Sequence, residues 1–336
     1  MTIGRAIVQT VFPGSNPAES LSLVSKEKPR PSPRNVLVRM IASAVNPIDL
    51  IYIRDGSLRR FENKGAVHGS EGVGVIAEIG EAVTSCRVGE RVIPLLFWKY
   101  YCDRGEGGWQ DYVEVAEEDV VPVPDTMSDA VAAQFVINPW TMYGMLLDLQ
   151  IPKGKYLLQT AAGSVLGRQC IQLAKHWDIK TINIVRRDEL KNELIAIGAD
   201  EVINSEKEDI AMRVKEITNG EGAYAGIDAV GGVLFKVVAR NVRDKGTVFI
   251  YGTLGSSDVV VGIDDLMREV KVSWWNLNAF AEDEDNKKKC ISDMLKLMDQ
   301  KVITPLAGRT FTLDEFGKAI IESEKYARGG KILLIN

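Results

Sequence analysis

A chain of 336 residues is too long for one simple core and points to two domains. Charged residues make up 26% and hydrophobic residues 46%, the balance of an ordinary soluble globular protein. Lys and Arg number 41 against 46 Asp and Glu, a net charge of −5 that argues against nucleic acid or an anionic membrane as the main partner.

In chain order, residues 1 to about 124 read as β-rich. AIVQTVF, NVLVRMIASAV, GVGVIAEIG, RVIPLLF and YVEVAEEDVVPVP are short β-branched runs punctuated by Gly, Pro, Asn and Asp. Within this part FWKYYCDRGEGGW is rich in aromatic residues, and its glycines suit either a mobile cleft wall or an ordinary surface loop. SDAVAAQFVINPWTMYGMLLDL then has the length of a helix or a pair of helices. Beyond it strands and helices alternate: YLLQTA, VLGRQCIQLAKHW, KTINIV, DELKNELIAIG, EVIN and IAMRVKEITNG, followed by GIDAVGG, GTVFIYG and VKVSWWNL as further strands. That rhythm implies a parallel sheet covered on both faces. The tail from ITPLAG to KILLIN reads as one helix flanked by strands, the first domain resumed after an insertion.

The turn in LLQTAAGSVLG carries the first functional signal. A phosphate cradle needs a sharp bend, close backbone approach and a helix N-terminus aimed at the ligand. AAGS is all small, Ser164 can cap the helix and Gly167 permits close helix–strand contact. The G-x-G-x-x-G pattern itself is incomplete, so a plain tight turn stays open at this point. About 20 residues further on, where a Rossmann unit reads the adenosine ribose, NAD sites place an acid. Here the strand INIV ends in Arg186 and Arg187, whose guanidinium forks suit a 2′-phosphate, and we read NADP(H) in preference to two merely exposed arginines.

At this stage the chain resembles the medium-chain dehydrogenase/reductase superfamily across nearly its whole length. The likeness rests on SAVNPIDLIYIRDG, HGSEGVGVIAEIGEAVTSCRVGERVIP, GGWQDYVEVAEEDVVPVP, NPWTMYGML, QTAAGSVLGRQCIQLAK, TINIVRRDE, DAVGG, FIYG and GGKILL. The zinc-free quinone oxidoreductases and the 2-enoyl thioester reductases are the most similar branches. The resemblance implies an α/β molecule: a GroES-like β-barrel catalytic domain over about 1–124 and 278–336, and a Rossmann doubly wound parallel sheet over about 125–277. It implies NADPH-dependent reduction of an activated C=C bond, hydride going to the β-carbon of an enoyl thioester or enone and a proton to the α-carbon. Gly163, Ser164, Val165 and Gly167 would then face the pyrophosphate and Arg186 and Arg187 the 2′-phosphate. Thr141, Tyr251, Gly252 and Lys331 would sit near the nicotinamide half. Asn46 and Tyr52 are the catalytic candidates, and Trp109, Trp140 and Trp275 the candidates for a substrate pocket. For Trp274-Trp275 an interface or core strand explains the sequence equally well. A homodimer is implied too, and an acyl-carrier protein as partner would require a basic patch.

One departure stands out. Enoyl reductases of this type place a tyrosine just after the IRDG-like glycine as proton donor, whereas here Gly56 is followed by Ser57 and Leu58. Tyr52 lies nearby, where the quinone branch also has a tyrosine, and is the candidate donor. Its alternative is a packing aromatic with its hydroxyl at the cleft rim. Zinc-dependent members bind the metal with a Cys near the position of Asn46 and a His in a GHE motif. Ser70 stands at that His, and the chain has two histidines in all, His68 and His176, so no zinc site is expected. His68 reads as a structural residue at a strand start, with a proton relay as the sharper alternative. His176 ends a helix. No G-x-S-x-G supports a nucleophilic triad.

Four scattered cysteines without a C-x-x-C pair, an N-terminus without an apolar leader and no run of about 20 apolar residues give the expectation of a cytoplasmic protein. The reading is an NADPH-dependent reductase acting on a small-molecule enoyl thioester, enone or quinone. An NADPH:quinone oxidoreductase is the first alternative. A nucleotide-binding regulatory module without catalysis is the alternative of another class.

Overall fold

The computed structural model describes residues 3–55, 65–326 and 329–336. The chain divides into two compact units. Unit 1 comprises Met1–Ile137, Met294–Asp299 and Thr304–Asn336; unit 2 comprises Asn138–Asp293 and Gln300–Ile303. The sequence divided the chain at 124/125 and 277/278. Residues 125–137 belong to unit 1 because the Glu71 carboxylate accepts hydrogen bonds from the backbone N–H groups of Val136 and Ile137.

Unit 1 begins with β1 (Ile3–Gln9) and β2 (Leu21–Glu27), an antiparallel pair. β3 (Asn35–Ala44) follows, buried along most of its length. Asn46-Pro47 then opens helix α1 (Pro47–Asp55). Pro47 takes the first helical position, and Asp49 reaches back to the Asn46 N–H, a start that suits proline's fixed φ and missing donor. The strands β4 (Gly72–Ile79), β5 (Arg91–Pro94), β6 (Tyr112–Ala116) and β7 (Val120–Pro122) come next. FWKYYC is no surface loop. Phe97–Cys102 is a π turn, with Tyr101 N–H bonded to the Leu96 carbonyl at 2.9 Å, and Phe97, Tyr100, Tyr101 and Cys102 are buried. The apolar side chains of the run explain this: they pull the segment inward.

Unit 2 is reached through α2 (Asp129–Ala132) and α3 (Ile137–Leu149), the pair of helices the sequence allowed. Its six strands are β8 (Tyr156–Gln159), β9 (Lys180–Val185), β10 (Glu201–Asn204), β11 (Ala223–Asp228), β12 (Val242–Ile250) and β13 (Lys271–Trp274). All pair in parallel in the order β10-β9-β8-β11-β12-β13. The chain winds outward from β8 to one side and then from β11 to the other. The crevice outside the carboxyl ends of β8 and β11 is therefore the topological switch point. α4 (Val165–His176), α5 (Glu189–Ala196) and α6 (Ile210–Ile217) alternate with the first strands as read. GIDAVGG is corrected: the strand stops at Asp228, and α7 (Gly232–Asn241) starts at two glycines with φ 76° and 60°. Its inner face, Phe235, Val238 and Ala239, packs with Leu158, Ile182 and Val248 of the sheet.

Before β13 lies α8 (Ile263–Met267), and after it α9 (Leu277–Glu282) and α10 (Glu284–Asp299). The chain returns to unit 1 through β14 (Ala307–Thr312), α11 (Phe316–Ser323) and β15 (Lys331–Ile335), the tail as expected. β15 joins β14 in parallel and β3 antiparallel, in a sheet of order β14-β15-β3-β4-β5-β7 to which β6 adds by pairing with β3. Among the described residues no helix is long and apolar enough to cross a membrane.

Candidate active site

In unit 1 the end of β3, the start of α1, the HGSEG segment and the start of β15 bring five polar side chains together. Asn46, Asp49, Ser70, Glu71 and Lys331 are at most 1% exposed. Asn46 Nδ2 donates to Ser70 Oγ at 3.0 Å and to Glu71 Oε1 at 2.9 Å. Lys331 Nζ donates to Asn46 Oδ1 at 2.6 Å. Asp49 takes the N–H of Asn46 at 2.8 Å on one oxygen and that of Ser70 at 3.0 Å on the other. Glu71 Oε2 takes the N–H groups of Val136 and Ile137 at 2.8 and 3.0 Å. Burial pushes the Asp49 carboxyl up to about 7, with Glu71 adding to the rise and Lys331 opposing it. Burial raises Glu71 as well, against the pull of the Lys331 ammonium. Asn46 and Lys331, both singled out from sequence, thus meet. Asp49 and Glu71 were missed; the N-P-x-D spacing of a helix start was the available signal.

Tyr52 lies one turn after Asp49 on α1 and is half-buried. Its ring packs against Tyr101 at 5.7 Å, and Cys102 Sγ donates to its hydroxyl at 3.8 Å. Gly56, Ser57 and Leu58, where the enoyl branch carries its tyrosine, lie outside the described residues. His68 is fully buried beside Tyr101 and Trp109 and precedes β4 by a few residues. Trp109 is itself a core ring, clustered with Ile7, Leu50 and Ile53, its indole N–H on the Ala44 carbonyl at 3.1 Å.

In unit 2 the turn between β8 and α4 does use the left-handed region: Ala161 has φ 50°. An alanine thus takes the conformation a glycine would normally supply. Ser164 caps α4 by accepting from the Gly167 N–H at 3.0 Å. A Cβ on Gly167 would lie 2.7 Å from the Ala161 carbonyl oxygen, so this glycine exists for close packing of helix on strand. Arg186 and Arg187 follow β9 directly and are exposed. The acid next in sequence, Asp188, is taken up by Asn204 Nδ2 at 2.7 Å and Lys207 Nζ at 2.5 Å, which hold it below its ordinary range.

Across the switch point Thr160 Oγ1 donates to Asp228 Oδ1 at 2.6 Å, and Asp228 Oδ2 accepts from the Gly231 N–H at 2.7 Å. Tyr251 N–H bonds the Asp228 carbonyl at 2.9 Å, and Tyr251 and Gly252 follow β12 at the same carboxyl edge. The Tyr251 hydroxyl is buried without a hydrogen-bond partner among the described residues. Thr141 and Trp140 lie on α3, the first half-buried and the second fully buried. Trp275 is 6% exposed, donates to Asp148 Oδ2 at 2.7 Å and packs against Phe280. The three tryptophans named for a substrate pocket are thus rings packed in the interior. Lys331 lies in unit 1 with Asn46, and the turn between β8 and α4 lies in unit 2.

The chain is 30% identical over 334 residues to the mitochondrial enoyl-[acyl-carrier-protein] reductase of Xenopus tropicalis, covering 95% of this chain and 92% of that protein. It belongs to the medium-chain dehydrogenase/reductase superfamily. Residues 32–125 match the alcohol dehydrogenase GroES-like domain, and residues 165–292 match the zinc-binding dehydrogenase family. The enzyme of the same name from Caenorhabditis elegans is 35% identical over 259 residues, 75% of this chain and 71% of that one. Among solved structures, quinone oxidoreductase from Pseudomonas syringae pv. Tomato DC3000 is similar at a TM-score of 0.86 and 26% identity, covering 99% of this chain and 100% of that one.

The zinc that one of these family descriptions names does not fit the residues of this superfamily member. Zinc takes N, S or O ligands at about 2.0–2.3 Å in an approximately tetrahedral set. Here Asn46 Oδ1 is already bonded to an ammonium, both Glu71 oxygens accept N–H hydrogens, and the His68 nitrogens face Tyr101 and Gln9. A dication and the Lys331 ammonium would repel each other over the same oxygen.

Proposed function

We propose that this protein is a zinc-independent, NADP(H)-dependent reductase of an electron-poor C=C bond, a trans-2-enoyl thioester or enone being the substrate. The observation that carries the reading is the Lys331 ammonium bonded to Asn46 inside unit 1. An internal organic cation there stabilises the buried carboxylates but offers no open coordination position to polarise an alcohol. A hydride donor and a proton donor suffice for reduction of a conjugated double bond. NADPH supplies the hydride when bound. The turn Ala161–Ser164, the N-terminus of α4 and the arginine pair after β9 are the groups of this chain that suit its phosphates. Tyr52 is the proposed holder of the proton for the α-carbon, its hydroxyl accepting from Cys102 Sγ at 3.8 Å.

Two relatives named as enoyl-[acyl-carrier-protein] reductases support this substrate class, with coenzyme A or an acyl-carrier protein as the thioester carrier. Quinone reduction is the second reading, favoured by Ser57-Leu58 after Gly56 and by the structural likeness to a quinone oxidoreductase. None of the four cysteines is in a disulfide, in keeping with a reducing compartment: the cytoplasm, as expected from sequence, or the mitochondrion in the relatives' names. We also propose a homodimer, formed at the exposed edge of β13.

The deciding measurement is the loss of NADPH absorbance with a trans-2-enoyl-CoA, and separately with a small quinone. Consumption with the thioester, reduced about 10²-fold in Tyr52→Phe, is the expected result. Consumption with the quinone alone makes the second reading correct. NADPH binding with no turnover of either, nor of other enones, returns the reading to a non-catalytic module.

A further inference from the structure

The acid that follows the arginine pair is held in unit 2 by two residues to which the proposed reaction gives no role. Asp188 stands at the N-terminal boundary of α5, where an aspartate ordinarily accepts N–H hydrogens of the first helical turn. Its backbone is already helical there (φ −67°, ψ −27°), and its carboxylate makes no such bond. It turns instead to the end of β10. Asn204 Nδ2 donates to Asp188 Oδ1 at 2.7 Å, and Lys207 Nζ donates to Oδ2 at 2.5 Å. Lys191 Nζ lies 3.9 Å from Oδ1. Asn204 first, and then Lys207, hold the carboxyl below its ordinary range.

Asn204 is fixed in place from several sides. It is 1% exposed, and in the parallel register it lies opposite Val185, the last residue of β9. The Ser205 N–H bonds the Val185 carbonyl at 2.8 Å, so β10 ends beside the point from which the arginines leave. Asn204 Oδ1 accepts from the Glu206 N–H at 3.0 Å, which sets the facing of the amide and leaves Nδ2 for the carboxylate. The Asn204 N–H donates to Glu208 Oε1 at 2.9 Å, and the same oxygen takes Lys191 Nζ at 2.6 Å. An exposed Lys–Asp pair alone is a weak restraint; the buried amide makes this one firm. The placement matters because a loose carboxylate beside two guanidiniums pairs with them in the bidentate geometry that a phosphate uses. A 2′-phosphate would then have to displace it, against the repulsion between two anions.

We propose that Asn204 and Lys207 are specificity-determining residues for the cofactor: they hold the Asp188 carboxylate on the end of β10 and so keep it off Arg186 and Arg187, leaving that pair to the 2′-phosphate. The proposal rests on the arginine pair as the reader of that phosphate.

The test is calorimetric titration of the full chain with adenosine 2′,5′-bisphosphate and, in parallel, with adenosine 5′-phosphate. The ratio of the two dissociation constants reads the 2′-phosphate alone, whereas a merely structural fault moves both constants together. Asn204→Ala, which changes no charge, should lower the preference for the bisphosphate about fivefold, the worth of one freed charge at a few ångströms in water. Lys207→Met should lower it similarly. Adding Asp188→Asn to either variant should bring the preference back to at least the wild-type value, because the two residues act through that acid. An unmoved preference in either single variant overturns the proposal. So does a loss that persists in the Lys207→Met, Asp188→Asn double variant, which would make Lys207 a direct phosphate ligand. If Asn204→Ala does not fold, the variants at the exposed Lys207 decide. A wild-type chain that binds both nucleotides alike overturns the arginine reading and this proposal with it; a clear wild-type preference that the variants leave unmoved overturns this proposal alone.

Discussion

At the scale of single residues, three cationic side chains carry most of the functional argument. Arg186 and Arg187 stand exposed after β9 while the neighbouring Asp188 is bonded elsewhere. Their replacement by Ala should raise the KM for NADPH and spare that for NADH, since only the former carries the 2′-phosphate. Equal losses with both cofactors in steady-state assays would remove the arginines from that role. Lys331 is the opposite case, an ammonium with 1% exposure among carboxylates. Lys331→Met should cost about 3–5 kcal/mol in urea unfolding, the usual penalty for a buried charge left without its partner. Adding Glu71→Gln should restore much of this; additive losses in the double variant would show that the two do not compensate each other.

At the scale of elements, the alternating strands and helices of unit 2 were legible because hydrophobic periodicity and glycine stops are local signals. α7 was not, because the GIDAVGG stretch before it reads as extended until the two left-handed glycines turn the chain. The π turn was equally hidden: one additional residue per turn leaves no mark in a pattern of aromatics, and only the bond from the Tyr101 N–H to the Leu96 carbonyl reveals it. Of the candidate residues, Asn46 and Tyr52 of unit 1 and, separately, the arginines of unit 2 could be named from sequence. The bond from Lys331 to Asn46 could not, since it joins residues 285 apart. One element carries a prediction of its own. β13 ends the six-stranded sheet with its outer edge unpaired among the described residues, and Trp274 is 54% exposed. Ile263 and Met267 of α8 are 70% and 77% exposed. An edge of this kind invites a second copy. Trp274→Glu should convert a dimer to a monomer in sedimentation; a wild-type monomer, or a variant of unchanged mass, would reject this edge as the interface.

For the molecule as a whole, pH acts on stability from two directions. His68 falls from its ordinary 6.5 to about 3 on folding. Its contribution is complete above 6.5 and drains away as pH falls from there toward 3. Asp49 rises from 3.8 to about 7, so its contribution is complete below 3.8 and is lost as pH climbs to about 7. His68→Gln should therefore flatten the decline of Tm between pH 7 and pH 5 while leaving the decline between pH 4 and pH 7 that Asp49 imposes. An identical acid limb in the variant would show that His68 is not its source. The pairing of β3 with β15 has a further consequence, for the order in which the molecule is made. β3 leaves the ribosome early and has β4 and β6 as partners nearby in the chain, yet its last residues, Ala42–Ala44, pair with β15 (Lys331–Ile335), and every strand of unit 2 is synthesised between them. The parallel sheet can assemble while translation continues; the barrel must wait for its last strand, with an unmatched β3 edge exposed to chaperones in the meantime.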